Sequence, residues 1–493
     1  MIKVLALKEL LDQVSSPKFV FLFAVSTVLV VFSLYTGSSA YVGARSEYQA
    51  TQRLARTELE NRRSYDEVAQ YGIKVGRLPQ PLSSVAGGVS SALGRSARVR
   101  PEVQPELSPA PLGDTPVLAV LGELDFNVVA RVFLSLFVLL LTYGAVAGEK
   151  ESGTLKAVLA NPVPRAQLLL GKALGLYGTL LAAVAIPSVL GLLVMKVGFG
   201  VALGAGEWAR LLTIGVTTML YLLAVFAVGL LVSTLTARSN VAFLVLLLAW
   251  VAFVEVIPKA SPVLANQLRP APSFASLQSE RDRIQGEYQR GIFQGMSRAL
   301  TLVNSQVNSQ EEADAHQRVI DSTMGRVRDS LGQIRDARLL RLDEDYRNRQ
   351  DAMTRLALTF ARLSPAAAMS HAVEVLAGTD FDAQRRWRDD LVAYRGQMEQ
   401  YLRSKGVQFG GFRVRIMSSS PPGSGGQGSS IRIGGASSED TRLDLASMPA
   451  FSARPESFLF AVGRAAPDLV IMGLWAAGAL LLAFAKFLKY DVR

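Results

Sequence analysis

Residues 208–257 read WARLLTIGVTTMLYLLAVFAVGLLVSTLTARSNVAFLVLLLAWVAFVEVI. Two long apolar runs, 208–235 and 241–257, are separated here only by Thr236-Ala237-Arg238-Ser239-Asn240. Each run is about the length that an α-helix needs to cross the hydrocarbon core of a bilayer. The stretch therefore predicts two transmembrane helices joined as a tight hairpin, and with them an integral membrane protein.

Four more apolar runs extend this pattern along the chain. The first contains no charge, and a signal peptide is the competing interpretation of it. An uncleaved span is favoured because the run is long for a signal peptide and Ser38-Ser39-Ala40 is a loose cleavage match. The predicted spans are 19–36, 128–147, 168–196, 208–235, 241–257 and 467–488. The predicted fold class is a mainly α, polytopic membrane protein with six transmembrane helices and two extracytoplasmic inserts.

Residues 1–18 precede the first span and have an amphipathic pattern. Leu7, Leu10, Leu11 and Val14 recur at helical spacing among charged residues, and Pro17 ends the pattern. This spacing predicts an interfacial amphipathic helix that lies on membrane lipid.

The polar residues fall into two inserts, 37–127 and 258–465. In the first, 51–70 is predicted to be a charged helix and 78–116 a loop or short strands. In the second, 276–363 predicts long helices, because Val319, Met324, Val327, Leu331 and Ile334 form an apolar seam typical of a helical hairpin or short coiled coil. The helical pattern continues over 366–405. Alternation over 407–416 predicts a strand, and the Ser/Gly-rich stretch 418–438 a flexible loop.

Basic residues give the predicted topology an orientation. With six spans, one set of short loops carries most of the lysines close to the apolar runs, so this side is expected to be cytoplasmic. Both termini would then lie in the cytoplasm, and both inserts outside it. The residues are Lys3, Lys8, Lys18, Lys150, Lys156, Arg165, Lys172, Arg238, Lys486, Lys489 and Arg493.

Several classes of function find no support in the sequence. The formal net charge of +11 is spread over a mixed-charge insert, which favours a solvated surface over nucleic-acid binding. There is no cysteine and no phosphate-binding loop, since Gly171-Lys172-Ala173 lacks the required hydroxyl. His316 and His371 are far apart in sequence and are expected to be surface or packing residues. We therefore expect no catalytic residue, no metal site and no cofactor on this chain.

The short segment 148–167 between the second and third predicted spans is the most informative polar stretch. It includes Glu149-Lys150-Glu151-Ser152-Gly153-Thr154-Leu155-Lys156, then Asn161-Pro162-Val163-Pro164-Arg165. Ser152 or Thr154 is expected to cap a short helix, and the two acidic residues favour its N-terminal end. Val158 and Leu159 would offer an apolar knob to a partner. The alternative is a plain charged loop whose only role is to set the orientation of the neighbouring spans in the membrane.

This segment resembles the signature loop of ABC transporter permeases of the type 2 exporter class. That pattern has an acidic residue, a basic residue, Gly-Thr-Leu, a short helix, a Pro-rich turn with Arg, and a Gly-Lys pair, here Gly171-Lys172, entering the next span. A further resemblance is to permeases of this class that have a large periplasmic insert between the last two membrane helices. It rests on the stretch Leu363-Ser364-Pro365-Ala366-Ala367-Ala368. The resemblance implies a cytoplasmic coupling loop at 148–167, with coupling residues Glu149, Glu151, Gly153, Thr154, Leu155, Val158, Leu159 and Arg165.

The same resemblance implies partners and a place in the cell. They are cytoplasmic ABC ATPase subunits, which would carry ATP and magnesium, a second permease copy or paralogue, and an envelope partner. The expected location is the bacterial inner membrane. The alternative is a membrane-anchored scaffold or sensor whose helical insert binds an envelope partner without transport. An intramembrane hydrolase would need paired catalytic groups at membrane depth, which the sequence does not offer.

Two kinds of residue within the spans leave alternatives open. Glu255 and Lys196 are the ionisable candidates for a transport role, but both lie near span ends, which favours interfacial anchoring. Gly171, Gly175 and Gly178 form a small-residue face on the third span, and Gly473 and Gly478 a similar one on the sixth. Such faces serve helix packing within a chain or between chains.

Overall fold

The apolar runs form long helices in the computed structural model, which describes residues 2–92, 94–101, 103–108, 124–160, 164–302, 310–407, 412–419, 428–435 and 443–489. Six helices of these residues are long and apolar enough to cross a membrane. They are α2 Pro17–Glu60, α5 Phe126–Glu151, α7 Arg165–Gly198, α8 Ala205–Leu235, α9 Ser239–Leu268 and α14 Phe458–Leu488. The predicted fold class, a mainly helical polytopic protein with six spans, is confirmed.

The first membrane helix continues well beyond its apolar run. Helix α2 has 44 residues, which corresponds to about 66 Å, roughly twice the thickness of a hydrocarbon core. It ends at Glu60, and the Ser64 hydroxyl caps a separate short helix, α3, Tyr65–Tyr71. The prediction of one charged helix over 51–70 was therefore wrong, because the chain turns at 61–64.

Sheet strands and helices from both inserts share a single core. The strands β1 Ile73–Gly76, β2 Ser96–Arg100 and β3 Val103–Leu107 form an antiparallel sheet in the order β1-β2-β3, beside the short helix α4 Gly88–Ala92. Val75 and Val99 of this sheet pack against Trp387 and Leu391 of α13, Phe381–Ser404. The two inserts, which are distant in sequence, therefore meet in space.

The second insert projects a helical hairpin, as the apolar seam predicted. It consists of α10 Phe274–Leu302 and α11 Gln310–Ala361. Val327 and Leu331 of the seam nest on Gly295 and Gly291 of the facing helix, where a Cβ atom would lie within 3 Å of them. Two other seam residues, Val319 and Ile334, are exposed.

A two-stranded hairpin corrects one prediction. Strand β4, Phe412–Ser419, pairs with β5, Gly428–Gly435, so part of the expected flexible loop 418–438 is a strand. The alternation of Ile431 and Ile433 with polar residues was a signal for it that the Ser/Gly-rich composition masked. The start of the strand predicted over 407–416 lies partly outside the described residues.

A helix between the inserts and the spans is buried with the membrane core. After α11, the Ser364 hydroxyl caps α12, Pro365–Ala377, and Gly378 ends it with a left-handed φ of 72°. Helix α12 packs against α14 and α8, and its Met369 is fully buried with span residues. The side of the spans that carries the inserts is called the insert side below, and the opposite side, with residues 149–165, the loop side.

Candidate coupling site

The segment between α5 and α7 turns on Gly153. Helix α5 ends at Glu151, and α6, Thr154–Leu159, begins after Gly153, whose φ of 75° is left-handed. No side chain among the described residues caps α6, because the hydroxyls of Ser152 and Thr154 lie 2.8 Å from each other instead. The predicted side-chain cap was therefore wrong, and the turn depends on glycine. Residues 161–163 of the predicted loop lie outside the described residues.

Three consecutive charged side chains of this segment reach three different helices. A Glu149 carboxylate oxygen lies 2.6 Å from the Lys172 ammonium of α7. The Lys150 ammonium donates to the carbonyl oxygens of Thr234 and Thr236 at the end of α8. The segment is thereby fixed to the loop-side ends of the membrane helices rather than hanging free.

The third of these side chains completes the arrangement at α9. The Glu151 carboxylate accepts the backbone N–H of Ser239 at 2.9 Å, at the first turn of that helix. A cation thus sits at a helix C-terminus and an anion at a helix N-terminus, where each satisfies orphan backbone groups and complements the helix dipole. Of the three charges, Glu149 therefore pairs with a lysine side chain, whereas Lys150 and Glu151 bind the backbone at the ends of α8 and α9.

Lys172 joins the first helix of the chain to the same site. Its side chain is 7% exposed and lies between Glu149 and Glu9, whose carboxylate oxygen is 2.9 Å away. Glu9 belongs to α1, Ile2–Val14. The pattern of the sequence pointed to Lys172 only as part of a Gly-Lys pair. Its two carboxylate partners come from segments 163 and 23 residues away, so neither was evident from spacing.

The glycine face of α7 holds α1 against it. A Cβ atom on Gly171 would lie 2.6 Å from Leu5, and one on Gly175 would lie 2.6 Å from the Ala6 carbonyl oxygen. Packing within the chain is therefore the role of these two glycines. The apolar residues Leu7 and Leu11 of α1 are exposed, as is expected of side chains that face lipid.

Two further contacts tie the segment to helix ends. The Ser233 hydroxyl accepts the backbone N–H groups of Val146 and Ala147, both at 3.0 Å, where the backbone of α5 is irregular. Arg165 donates to the carbonyl oxygen of Leu488 at 2.9 Å, at the end of α14. Ser233 carries no charge and belongs to no recognised motif, so no sequence pattern pointed to it.

The predicted coupling residues divide into an inward and an outward set. Leu155 is 1% exposed, and Val158 and Leu159 are half-buried against the core of the chain itself. Of the predicted residues, Glu151, Gly153 and Thr154 are exposed, and so are their neighbours Ser152, Lys156 and Ala157. The face that is open to a partner is therefore the turn and the polar side of α6, and the apolar side holds the helix in place.

A second ionic cluster, which no sequence pattern predicted, lies on the insert side. Asp468 of α14 is fully buried, and its carboxylate oxygens lie 2.8 Å from Arg362 Nε and 2.7 Å from His371 Nδ1. Its partners, about a hundred residues earlier, are the residue that follows α11 and a residue of α12. The two candidates that the sequence did single out are at the surface: Glu255 pairs with Lys259 at 2.5 Å, and Lys196 lies over the Trp208 ring.

Comparison with known proteins places the whole arrangement in a family. The model of the family described as ABC-2 family transporter protein matches residues 3–492. The chain belongs to the ABC-2 transporter family. As a member of it, this ABC-2 protein is a membrane component of an ABC transporter, with several helices that span the membrane.

Curated relatives of this ABC-2 protein are similar over shorter stretches. A probable ABC transporter permease protein NosY of Pseudomonas aeruginosa is 45% identical over 71 residues, which is 14% of this chain and 25% of the relative. The NosY protein of Stutzerimonas stutzeri is 38% identical over 91 residues, which is 18% of this chain and 28% of that protein. The similarity thus spans about a quarter of the length of these relatives.

Proposed function

We propose that this chain is the permease subunit of an ATP-driven ABC exporter and that residues 148–167 receive force from a separate cytoplasmic ATPase subunit. The single observation that carries the proposal is the attachment of Glu149, Lys150 and Glu151 to three different membrane helices. A loop that only set the orientation of the spans would need charged residues, but it would not need each of them to bind a different membrane helix. Family membership and the NosY relatives, which are named as probable ABC transporter permeases, support the same role.

Displacement of the segment would move helices as a group. Glu149 contacts α7, Lys150 the end of α8, Glu151 the start of α9, and Arg165 the end of α14. These contacts are short and charge-assisted, which makes them stronger than neutral hydrogen bonds. A push on α6 is therefore expected to reach the four spans that these contacts join to the segment.

Helix α14 offers a path from the segment to the inserts. Its loop-side end binds Arg165, and Asp468, twenty residues earlier, binds Arg362 and His371 of the second insert. Twenty helical residues correspond to about 30 Å, the thickness of the hydrocarbon core. The proposed output is therefore export of a substrate or a mechanical signal to the inserts and an envelope partner.

The other subunits of the transporter would supply the nucleotide sites and the rest of the membrane part. ATP and magnesium would bind to the ATPase subunits, which dock on the outward face of α6 from the cytoplasm. A second permease copy or a paralogue would complete the membrane part, in the bacterial inner membrane with both termini inside. The loop-side lysines support this orientation.

Docking can be tested with charge reversal on the outward face. We expect Thr154→Trp combined with Lys156→Glu to reduce co-purification of co-expressed ABC ATPase subunits by at least about tenfold, which corresponds to roughly 1.4 kcal/mol. Lys3→Glu is the matched control, because Lys3 is exposed on the loop side and the change of charge is the same. Equal capture of the ATPase by both variants, with unchanged melting temperatures, would contradict the docking face.

A further inference from the structure

A cleft on the insert side lies where three parts of the chain meet. Tyr41 and Ala44 of α2 form one wall, the segment between β1 and β2 with Arg77 and Arg95 forms another, and the Gly378-Thr379 link after α12 forms the third. The cleft thus lies between the first membrane helix and both inserts.

The two arginines of the cleft are neighbours and are not fully neutralised. The Arg77 backbone N–H donates to the Arg95 carbonyl oxygen at 2.7 Å, which places the residues side by side. The Arg77 guanidinium donates to the Gln384 amide oxygen and lies over the Trp387 ring, and both of these partners are neutral. In the described residues no carboxylate oxygen lies within 4 Å of it.

The nearest carboxylates are engaged elsewhere. Asp380 attracts Arg77 but binds Arg464 at 2.6 Å, and Arg95 lies 3.7 Å from Glu47, which is half exposed. Burial, opposed by Asp380 and reinforced by the charges of Arg386 and Arg95, lowers the pKa of Arg77 to about 10. The cleft therefore holds desolvated positive charge that an entering anion would compensate.

Its depth in the membrane identifies the source of such an anion. Tyr41 follows Phe19, the start of the first apolar run, by 22 residues, or about 33 Å along the helix axis. The hydrocarbon core is about 30 Å thick, so Tyr41 lies in the layer of lipid headgroups. The rim is apolar on the same side, because Leu78, next to Arg77, is 57% exposed.

We propose that this cleft binds the phosphate group of an anionic glycerophospholipid. The planar forks of Arg77 and Arg95 would grip the phosphate oxygens, because guanidinium matches phosphate geometry in two parallel hydrogen bonds. The acyl chains would cover Leu78 and Pro79 at the rim. A free phosphate shares the headgroup chemistry, but it would leave this apolar rim exposed.

A bound lipid would bridge elements that also pack directly on one another, as Gly37 of α2 does on Ser84. It would touch α2, the β1–β2 segment and the end of α12 at once. This makes the lipid a structural link between the first span and the inserts. The proposal is independent of ATPase docking, which takes place on the opposite side of the membrane.

The test uses the full chain in detergent, with native mass spectrometry after addition of phosphatidylglycerol. We expect Arg77→Gln combined with Arg95→Gln to reduce the affinity for phosphatidylglycerol by about tenfold or more. The control is Arg98→Gln, on the strand β2 that begins just after Arg95, since Arg98 pairs with Glu58 and does not line the cleft. Unchanged binding in the double variant, with the control equal to it, would overturn the site.

Two further arms separate the sources and guard against misfolding. If the double variant fails to fold, Arg95→Gln alone carries the test, because this side chain is partly exposed and its loss leaves the Arg77–Gln384 contact in place. Inorganic phosphate and phosphatidylcholine are added in parallel to the wild type. A rise in melting temperature with inorganic phosphate and none with phosphatidylglycerol would overturn the lipid as ligand. Preference for phosphatidylglycerol over phosphatidylcholine would support it.

Discussion

Two buried ionic clusters stand at opposite ends of the membrane helices, and they differ in which charge is buried. The loop-side cluster consists of Glu9, Glu149 and Lys172, with a buried lysine between two carboxylates that remain partly exposed. The insert-side cluster consists of Arg362, His371 and Asp468, with a fully buried carboxylate. The first can be rehydrated if it is broken. In the second, the Asp468 carboxylate is 0% exposed and stays out of reach of water, so this cluster is expected to hold its helices more firmly.

The difference suggests a division of labour under the proposed function. A cluster with hydrated edges costs little to rearrange and suits a joint that moves when an ATPase closes. A cluster around a fully buried carboxylate is costly to open and suits a fixed attachment of α12 and the end of α11 to α14. The predictions below test this contrast.

The largest effect is expected from loss of the buried carboxylate. Asp468→Asn removes a fully buried carboxylate and leaves both Arg362, which is 29% exposed, and His371 without their partner, and breaking such a pair costs about 3 kcal/mol. We expect a clearly lower melting temperature in detergent. The control is Glu255→Gln, whose partner Lys259 is exposed, with an expected cost below about 1 kcal/mol. Equal losses in the two variants would mean that the insert-side cluster is no anchor.

The attachment of α1 is the next most sensitive feature. In Gly175→Val the new side chain meets the Ala6 carbonyl oxygen, where even a Cβ atom would be 2.6 Å away, so overpacking of about 1–3 kcal/mol is expected. The matched control is Gly473→Val, since no described atom lies within 4 Å of a Cβ placed at Gly473. Protease accessibility of α1 should rise only in Gly175→Val. A rise in both variants would contradict the packing of α1 on the glycine face of α7.

Loss of the loop-side lysine should cost less than loss of Asp468. Lys172→Met removes the counter-charge of Glu9 and Glu149, but both carboxylates can turn to water, so about 1–2 kcal/mol is expected. Thermal unfolding measures it, with Lys196→Met, an exposed lysine at the other end of α7, as the control. A loss as large as that of Asp468→Asn would remove the contrast between the clusters.

A pH dependence is the smallest expected effect. Burial raises the pKa of Glu374 on α12 to about 7, with Asp125 and Asp380 raising it and His371 and Arg131 lowering it. A raised carboxyl pKa means that its contribution to stability is full below about 4.5 and is lost as pH rises through about 7. As pH rises from 5 to 8, the wild type should lose this contribution and Glu374→Gln should not. The melting temperature of the variant should therefore rise relative to that of the wild type. If the melting temperatures of Glu374→Gln and of the wild type change with pH in parallel, the raised pKa of Glu374 is contradicted.

The sequence predicted the spans and the loop because both depend on local signals. Apolar runs give the helices, and the charged segment after α5 gives the candidate site. Contacts between residues that are distant in the chain could not be predicted. Asp468 lies inside an ordinary span, and its partners Arg362 and His371 precede it by about a hundred residues. The shared core of Val75 and Trp387 is hidden for the same reason.

Composition gave a wrong prediction for one segment and an incomplete one for another. Serine and glycine suggested a flexible loop where β5 pairs with β4, although Ile431 and Ile433 alternate. Apolar residues Val158 and Leu159 were expected to meet a partner, and they lie half-buried against the chain's own core. Periodicity locates an apolar face but does not tell which molecule covers it.

The central claim is that Glu149, Lys150 and Glu151 transmit movement of the loop to the spans. The chain has no cysteine, so spin labels on Arg53→Cys in α2 and Arg341→Cys in α11, both exposed, report one distance on the insert side. With the ATPase bound, we expect addition of ATP to shift this distance in the otherwise wild-type chain. In Lys150→Met combined with Glu151→Gln the ATPase should still co-purify, and the distance should not shift. An equal shift in that variant would contradict the account.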